Sequence, residues 1–402
     1  MSKKIELLAP AGNLEKAKIS LLYGADAVYV GGKSFSLRAR ASNFDVADIE
    51  ELCEFAHNLN KKVYITMNII PHDDDMQKLE EYLISLDHAK VDAIITSSIA
   101  IMNKAKELVP NIERHVSTQM SITNHKAIEF YEALGCTRVV LAREVNLHQI
   151  EKISKNTNLE LEVFIHGGMC ASYSGRCVLS NHLTNRDANR GGCAHSCRWN
   201  YKLYRRKTLI DKKDVFFNMG SKDLMAVRSI PKLIDLNVSS LKIEGRMKST
   251  YYLATVVRCY RKLIDLYIEQ SFVTEEQFVQ IENEIAKAEN RLTNCGFLNG
   301  DVKVDGFLYD TRTEHPTKEY IGYVLDYNKD TKIALIEQRN YFEVGDLVEF
   351  FGPNLENQQA IINQIVDYET KTELDVARHP LQKLEIKVDI PLTKHDMMRK
   401  VK

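Results

Sequence analysis

Short runs rich in Val and Ile alternate with longer stretches of helical periodicity from the N-terminus to about residue 250. This alternation is typical of strand and helix units around a parallel sheet. It predicts eight strands, at residues 5–9, 27–31, 62–68, 93–97, 114–118, 138–142, 161–166 and 240–244. Amphipathic helices are predicted between most of these strands, for example at residues 46–59 and 76–89.

Eight strands with intervening helices favour an α/β fold of the TIM-like (β/α)8 barrel type, over residues 1–300. The alternative is a doubly wound open sheet. That fold commonly has a glycine-rich phosphate loop after its first strand, whereas this chain has the turn Ala9-Pro10-Ala11-Gly12. This turn is a poor phosphate cradle, so the barrel is the preferred prediction.

One connection is far longer than a crossover helix requires. More than 70 residues separate the strand that ends near His166 from the strand that begins near Ser240. Long insertions usually carry function, and the loops after barrel strands gather at the face where active sites lie. We therefore predict that residues 167–239 form an insertion that covers this face.

The pattern changes after the last barrel strand. Residues 251–291 predict one or two long helices, with a break at residues 271–274 and an N-cap at Thr274. Beyond Gly300, short alternating strands are predicted at residues 319–326, 333–337, 347–350 and 384–389. They indicate a small β-barrel domain over residues 310–402.

Composition narrows the choice of partners. The 54 basic and 55 acidic residues nearly cancel, so affinity for nucleic acid would need a local patch. The 402 residues, 44% of them hydrophobic, are sufficient for one large core and a smaller one. The N-terminus lacks the features of a signal peptide, and no long apolar stretch predicts a membrane span. We expect a cytoplasmic protein without membrane contact.

Four of the eight cysteines lie within 28 residues, namely Cys170, Cys177, Cys193 and Cys197. Thiols stay reduced in the cytoplasm, so this clustering indicates metal binding or catalysis rather than disulfides. Four thiolates can hold zinc or an iron–sulfur cluster. The gaps of six, fifteen and three residues differ from zinc knuckles and favour iron–sulfur, with zinc and simple buried thiols left as alternatives.

Other potential ligands are weaker candidates. The nearby histidines His166, His182 and His195 are second choices, because histidines in loops more often serve as hydrogen-bonding residues. The scattered thiols are interpreted as small packing residues. These are Cys53, Cys136, Cys259 and Cys295.

Basic and aromatic residues overlap the cysteine cluster. Residues 170–207 contain eight basic residues and a single acid, Asp187. Guanidinium groups bind phosphates and aromatic faces stack on unpaired bases, so this segment suits a single-stranded RNA loop. The alternative is a solvated loop with aromatic side chains packed on the barrel rim. The candidate RNA-binding residues are Arg176, Arg186, Arg190, Arg198, Trp199, Arg205 and Arg206.

Polar residues at or just after the predicted strand ends are candidates for a pocket at the barrel mouth. A structural salt bridge at the mouth is the alternative role for each. The candidates are Asn68, Gln119, Arg143, Glu144, His166, Lys242, Glu244 and Arg246.

The segment EVFIHGGMC from Glu162 to Cys170, followed by GRCVLS from Gly175 to Ser180, resembles the signature of the collagenase-like peptidase family U32. Gly168 departs from the Ser or Ala usual there. The resemblance extends to residues 6–12, 24–32, 242–246 and 344–349, and so covers essentially the whole chain. Residues 185–187, with Cys193, Cys197 and the following Arg-Trp pair, are most similar to the TrhP branch of this family.

The resemblance implies a prephenate-dependent tRNA hydroxylase that converts the wobble uridine to 5-hydroxyuridine. It also implies a [4Fe-4S] cluster on Cys170, Cys177 and Cys193, with Cys197 as the matching fourth ligand. An arginine or lysine of the pocket would then hold the two carboxylates of prephenate. A paralogous partner subunit is a further candidate partner beside tRNA.

Two rival functions remain at this point. One is a peptidase, for which Cys170 and His166 could be nucleophile and base, although a thiolate bound to iron cannot attack a peptide. The sequence has neither the H-E-x-x-H nor the G-x-S-x-G motif. The other rival is a non-catalytic RNA-binding protein with structural zinc.

Overall fold

The computed structural model describes residues 5–37, 43–210, 216–308 and 320–401. The described chain divides into two compact units. The first takes its residues from 1–283 and 291–315, and the second from 284–290 and 316–402.

The first unit is built on eight parallel strands. Each strand pairs with the next along the chain, and the last strand pairs with both the first and the seventh, which closes the barrel. The predicted (β/α)8 barrel is therefore confirmed. The strands are β1 (Glu6–Pro10), β2 (Ala27–Gly31), β3 (Lys62–Met67), β4 (Ala93–Thr96), β5 (Glu113–Val116), β6 (Arg138–Val140), β7 (Glu160–Gly167) and β8 (Ser240–Ile243).

Helices connect and surround these strands. Most begin with a side-chain cap, such as Asp45, whose carboxylate accepts a hydrogen bond from the backbone NH of Asp48. The helices are α1 (Leu14–Leu22), α2 (Val46–Asn58), α3 (Asp73–Met76), α4 (Leu79–His88), α5 (Ile99–Leu108), α6 (His125–Ala133), α7 (Leu147–Ser154), α8 (Leu179–Thr184), α9 (Ile230–Asp235), α10 (Thr250–Gln270) and α11 (Glu275–Ala286).

The predicted break between α10 and α11 is confirmed. Ser271 has a left-handed backbone, with φ of 62°, and ends α10. The predicted N-cap Thr274 exchanges hydrogen bonds with Gln277, because each backbone NH donates to the other residue's side chain. This reciprocal pair gives the backbone NH groups of Thr274 and Gln277 hydrogen-bond partners at the start of α11.

Charged side chains fill the amino-terminal half of the barrel interior. Arg138 pairs with Glu6 at 2.6 Å and with Glu162 at 3.3 Å, and Lys242 lies 2.6 Å from Glu162. Burial would raise the pKa of Glu162, but Lys242 and Arg138 outweigh it and hold that pKa below its usual range. Mutual pairing allows these charges to be buried.

The insertion after β7 contains little regular structure. Asp223–Met225 forms a short strand that runs antiparallel to β7, and Tyr204–Arg205 pairs with Thr208–Leu209 in a hairpin. A further short strand, Thr293–Asn294, pairs with Asp223–Met225. None of these short strands was predicted, because two or three residues are too few to show a period.

The second unit is an antiparallel half-barrel, where the sequence predicted a small β-barrel. Its sheet has eight strands, and the outermost ones have one partner each. The strands are β9 (Tyr320–Asn328), β10 (Ile333–Gln338), β11 (Leu347–Phe351), β12 (Gln358–Ile361), β13 (Ile365–Asp367), β14 (Lys383–Lys387) and β15 (Met397–Lys400), with the edge strand Glu373–Leu374. Phe342–Glu343 and Val376–Ala377 pair separately. The core includes Ile336, Phe350 and Met398.

Among the described residues, no helix combines the length and the apolar character that a membrane span requires.

Candidate functional site

The insertion is attached to the loops that follow several barrel strands. After β6, the carboxylate of Glu144 accepts hydrogen bonds from Ser174 N and Oγ, both at 2.8 Å. After β5, the Gln119 carbonyl accepts from Arg176 Nε at 2.5 Å. The insertion therefore covers the carboxyl-terminal mouth, as predicted.

A third attachment lies beyond β3. Arg190 pairs with Asp75 at 2.6 Å and also donates to the Ile70 carbonyl at 2.9 Å. The backbone NH of Ile70 in turn donates to the Asn189 carbonyl at 3.0 Å. Arg190 thus fastens the insertion to the barrel mouth, and its guanidinium is engaged in doing so.

The four clustered cysteines are all partly exposed, and none forms a disulfide. Burial raises the pKa of the Cys197 thiol, and the charges of Cys170, Cys193 and Cys177 contribute to the same shift. The three other sulfurs are therefore close enough to Cys197 for their charges to interact. That the four thiols bind one cluster stays a prediction.

Hydrogen bonds hold the backbone around these cysteines. Asn189 accepts from the Cys177 NH at 3.3 Å and donates to the Cys177 carbonyl at 2.9 Å. Arg186 donates to the Cys193 carbonyl at 3.2 Å. Such contacts hold the backbone at Cys177 and Cys193, as outer-shell contacts hold the ligands of a metal site.

This donor set fits an iron–sulfur cluster. Four thiols from one segment are the usual ligands of a [4Fe-4S] cluster, in which each sulfur binds a different iron. Among the described residues, no three histidine, cysteine, aspartate or glutamate side chains are grouped closely enough to hold a single metal ion.

Two glycines before Cys170 allow β7 and β8 to approach each other. Gly167 has φ of 101°, and a Cβ there would lie 2.1 Å from the Glu244 carbonyl oxygen. At Gly168 an added Cβ would lie 3.2 Å from Glu244 Oε2, the end of a flexible side chain. The neighbouring backbone at Glu244 therefore requires glycine at position 167, whereas position 168 has room for a small side chain.

The position of Arg246, after β8, also depends on a glycine. Buried Arg246 donates to Ser36 at 2.8 Å, to Asn43 at 2.7 Å and to Thr66 at 3.3 Å. A Cβ on Gly31 would lie 2.0 Å from the Arg246 guanidinium. Gly31 therefore makes room for this arginine.

The predicted pocket residues do not converge on one open pocket. Lys242 is 4% exposed and points to Glu162 inside the barrel. Arg143 lies over the Phe164 ring at 3.9 Å, and Glu144 binds Ser174. Asn68 accepts a hydrogen bond from the Leu37 NH at 3.2 Å. The alternative role, a structural salt bridge, describes Lys242. Arg143, Glu144 and Asn68 make a cation–π contact and hydrogen bonds instead.

His166 is buried at the end of β7. Its Nδ1 lies 3.2 Å from the Tyr260 hydroxyl. Burial, together with the charge of Lys248, lowers the pKa of His166 to about 3. The imidazole is therefore neutral near pH 7 and a weak base. His182 and His195 are exposed.

The scattered cysteines Cys53, Cys136 and Cys259 are buried, as expected of packing residues. Burial raises the pKa of Cys53 to about 12. Cys295 is partly exposed, and its sulfur accepts a hydrogen bond from Asn299 at 3.4 Å.

The candidate RNA-binding residues divide into two groups. Arg176, Arg186, Arg190 and Arg198 make the internal contacts already described or, for Arg198, donate to the Met169 carbonyl at 3.2 Å. Trp199, Arg205 and Arg206 form the second group and are exposed, and Arg176 of the first group is exposed as well. The second group lies on the hairpin and the segment before it.

The hairpin turn has an unusual backbone. Arg206 and Lys207 both have left-handed φ angles, 47° and 72°, which such two-residue turns usually assign to Asn and Gly. Every residue from 204 to 210 is exposed, with Tyr204 at 61%. The turn thus places three consecutive basic residues, 205–207, in solvent.

Comparison with known proteins agrees with this architecture. The family model described as Peptidase family U32 matches residues 12–306, and the model of the family's C-terminal domain matches residues 316–399. This chain belongs to peptidase family U32. Both compact units of the structure are thus U32 domains.

Curated U32 relatives have different names. The tRNA hydroxylation protein P1 of Bacillus subtilis is 46% identical over 409 residues, covering 100% of this chain and 96% of its own. The Escherichia coli 23S rRNA 5-hydroxycytidine C2501 synthase is 39% identical, covering 67% of this chain and 40% of its own. The Porphyromonas gingivalis collagenase is 32% identical, covering 87% and 86%.

One feature of this U32 barrel was missed from the sequence. Buried Asp223 has three cations around it, with Arg198 and Arg291 at 3.5 Å and Lys248 at 3.6 Å. We call these four residues the Asp223 cluster. The four residues are far apart along the chain, so the sequence does not reveal the cluster. In the structure, the short strand that begins at Asp223 pairs with the end of β7, shortly before Cys170.

Proposed function

We propose that this chain hydroxylates the wobble uridine of tRNA to 5-hydroxyuridine, with a [4Fe-4S] cluster and with prephenate as co-substrate. The observation that carries the proposal is a segment with four partly exposed cysteines, attached at the barrel mouth and followed along the chain by an exposed basic hairpin. The names of two relatives support it, since one concerns tRNA hydroxylation and the other 5-hydroxycytidine in rRNA. Cytidine, the nucleoside named for the second relative, carries a pyrimidine base, as uridine does.

Cys170, Cys177, Cys193 and Cys197 would hold the cluster. Replacing the hydrogen on C5 of uracil by a hydroxyl group is a two-electron oxidation of the base. Amino-acid side chains do not supply this redox chemistry. A bound iron–sulfur cluster would transfer electrons one at a time, and the oxygen atom and the final electron acceptor would come from separate co-reactants. The role of the protein is then to bind and orient the two substrates next to these cysteines.

The hairpin is suited to bind the RNA backbone. Residues 199–210 contain four basic residues and no acid. Guanidinium and ammonium groups at the turn would contact phosphates, and Trp199 and Tyr204 offer aromatic faces for unpaired bases. Arg186, Arg190 and Arg198 would support the cysteine segment instead of the RNA, whereas exposed Arg176 stays a candidate for contact with the RNA.

The Asp223 cluster is suited to bind the co-substrate. A dicarboxylate such as prephenate needs cations held at fixed positions, and arginine pairs with carboxylates in bidentate geometry. Arg198 follows Cys197 directly and donates to the carbonyl of Met169, which precedes Cys170. Its guanidinium therefore connects the Asp223 cluster to the proposed ligands. A paralogous partner subunit stays a prediction.

The peptidase alternative is less well supported by the geometry. A cysteine nucleophile requires a base near it that can take a proton. The low pKa of His166, about 3, makes it a weak base, and its Nδ1 faces Tyr260. The Cys170 sulfur accepts a hydrogen bond from the Ser172 NH at 3.4 Å.

Mass spectrometry of tRNA nucleosides tests the proposal. A strain that lacks this gene and any paralogue should lose 5-hydroxyuridine derivatives. Wild-type protein should restore them, whereas a Cys170→Ser/Cys177→Ser variant of equal abundance should not. Unchanged 5-hydroxyuridine in the deletion strain, or restoration by the variant, would refute the assignment.

A further inference from the structure

A pocket opens beside Cys170 in the barrel unit. One side is formed by the segment after β7, and the other by residues between 294 and 307. Its lining includes Met169, Cys170, Lys222, Asn294, Phe297 and Phe307. We call it the Cys170 pocket.

We propose that the Cys170 pocket receives the pyrimidine ring of the target uridine after that base has left the RNA stack. This inference rests on the proposed function. Enzymes that modify a base have to bring it out of its stack into a fitted site. A ring in this pocket would lie against one of the cysteines assigned to the cluster.

The walls match a flat ring. Met169, Phe297 and Phe307 supply apolar surface, and both phenylalanines are only partly buried. An aromatic side chain can stack on any base, because every base has a π face. Small-ligand sites commonly have such mostly apolar walls with few polar groups.

The polar groups match a neutral pyrimidine. Asn294 Oδ1 accepts a hydrogen bond from the Gly296 NH at 3.1 Å, which orients the amide and leaves its NH2 group as a donor. An NH2 donor suits a carbonyl oxygen of uracil. Lys222 is the one cation in the described lining, which is a poor match for a dicarboxylate. The observations therefore favour the base over the co-substrate.

The pocket has a fixed frame. Lys222 N donates to the Gly306 carbonyl and Leu308 N donates to the Gly220 carbonyl, both at 2.9 Å. These bonds hold the Phe307 wall to the insertion. Gly296, on the opposite wall, has a left-handed φ of 56° and packs closely on Leu224. A Cβ at this position would lie 3.0 Å from the Leu224 side chain.

Photo-cross-linking tests the inference without relying on activity. An anticodon stem–loop with 4-thiouridine at the wobble position is bound to the full-length, anaerobically purified protein and irradiated. Mass spectrometry should then locate the cross-link in residues 169–171 or 294–307. Cross-links confined to residues 199–210, or to any surface outside the pocket, would overturn the inference.

Matched variants sharpen the test. Phe297→Leu and Phe307→Leu should each lower the cross-link yield roughly tenfold, because each removes a stacking face. The affinity for the stem–loop should change less than about threefold, since phosphate contacts dominate it. Phe272→Leu, a change of an aromatic residue that is 59% exposed after α10, is the control. Equal yields in all three variants would contradict the proposal, and the wild-type cross-link decides it if a variant fails to fold.

Two further outcomes separate the inference from the proposed function. Cross-links in the pocket support the inference even if tRNA from the deletion strain keeps its 5-hydroxyuridine, a result that would refute only the hydroxylase. Loss of the pocket cross-link on adding prephenate alone would reassign the pocket to the co-substrate and overturn the inference.

Discussion

The Glu144 carboxylate accepts two hydrogen bonds from Ser174, each of 2.8 Å, between the loop after β6 and the cysteine segment. Ser174 is buried and left-handed, with φ of 48°. This contact fixes the chain between Cys170 and Cys177 in a backbone conformation that serine rarely adopts.

Glu144→Gln should weaken retention of the cluster while leaving the barrel folded. The glutamine amide has a single oxygen, which can accept from one of the two Ser174 donors. Its NH2 group would face the other donor, so about 1–3 kcal/mol of local stabilisation is lost. Iron content per chain, measured after the same anaerobic purification, should fall well below that of wild type. Glu129→Gln, on the exposed side of α6, is the control and should keep its iron. Full iron content in Glu144→Gln would show that the contact is dispensable.

Lys242→Met should destabilise the barrel by roughly 3–5 kcal/mol, because it leaves the buried Glu162 with less positive charge. Thermal or urea unfolding measures this change. Lys18→Met removes a partner of the exposed pair with Glu51, at 2.6 Å, and should change stability by less than about 1 kcal/mol. Equal effects of the two substitutions would contradict the assignment of Lys242 to the interior network.

His166 should make the protein less stable in mild acid. Burial and Lys248 lower its pKa from 6.5 to about 3, so below pH 6.5 the unfolded chain binds a proton that the folded chain does not. This contribution is fully present above pH 6.5 and is lost as the pH falls towards 3. Between pH 6.5 and pH 5 it amounts to about 2 kcal/mol.

Urea unfolding at pH 7 and at pH 5 checks this dependence. His166→Gln keeps a polar group near Tyr260 but does not titrate, so it should lose less stability than wild type over this interval. The same pH dependence in both proteins would mean that His166 does not contribute to it.

Replacing the hairpin turn by Arg206→Asn/Lys207→Gly should separate stability from RNA binding. Asn and Gly adopt left-handed φ more readily, so the turn should be stabilised by roughly 1–2 kcal/mol. Loss of two cations should reduce the slope of log affinity for tRNA against log salt by about 1.5. Lys126→Asn/Lys155→Gly, at exposed positions in α6 and directly after α7, is the charge-matched control. An unchanged salt slope would remove the hairpin from the RNA-binding surface.

The barrel was predictable because its strands are buried on both faces. In such strands Val and Ile form continuous runs, as in residues 27–31, where prediction and structure coincide. Ends shifted by one or two residues elsewhere. At β5, for example, the strand begins at Glu113, one residue before the predicted start, because a charged residue gives no strand signal in the sequence. Polarity alone does not reveal that Glu113 accepts a hydrogen bond from His115.

The site was predictable only in part. The cysteine spacing indicates a shared site, but the roles of the arginines depend on distant partners. Arg190 pairs with Asp75, 115 residues earlier in the chain, and the Asp223 cluster joins four separate segments. Lys242 at the end of a strand resembles a pocket residue in sequence, and only tertiary packing shows that it points to Glu162.

The content of iron and acid-labile sulfide in anaerobically purified protein tests the central claim most directly. The account predicts about four of each per chain with broad visible absorbance, and loss of both in a Cys170→Ser/Cys177→Ser variant that still folds. A colourless protein with one zinc ion, or iron retained by the double variant, would contradict it.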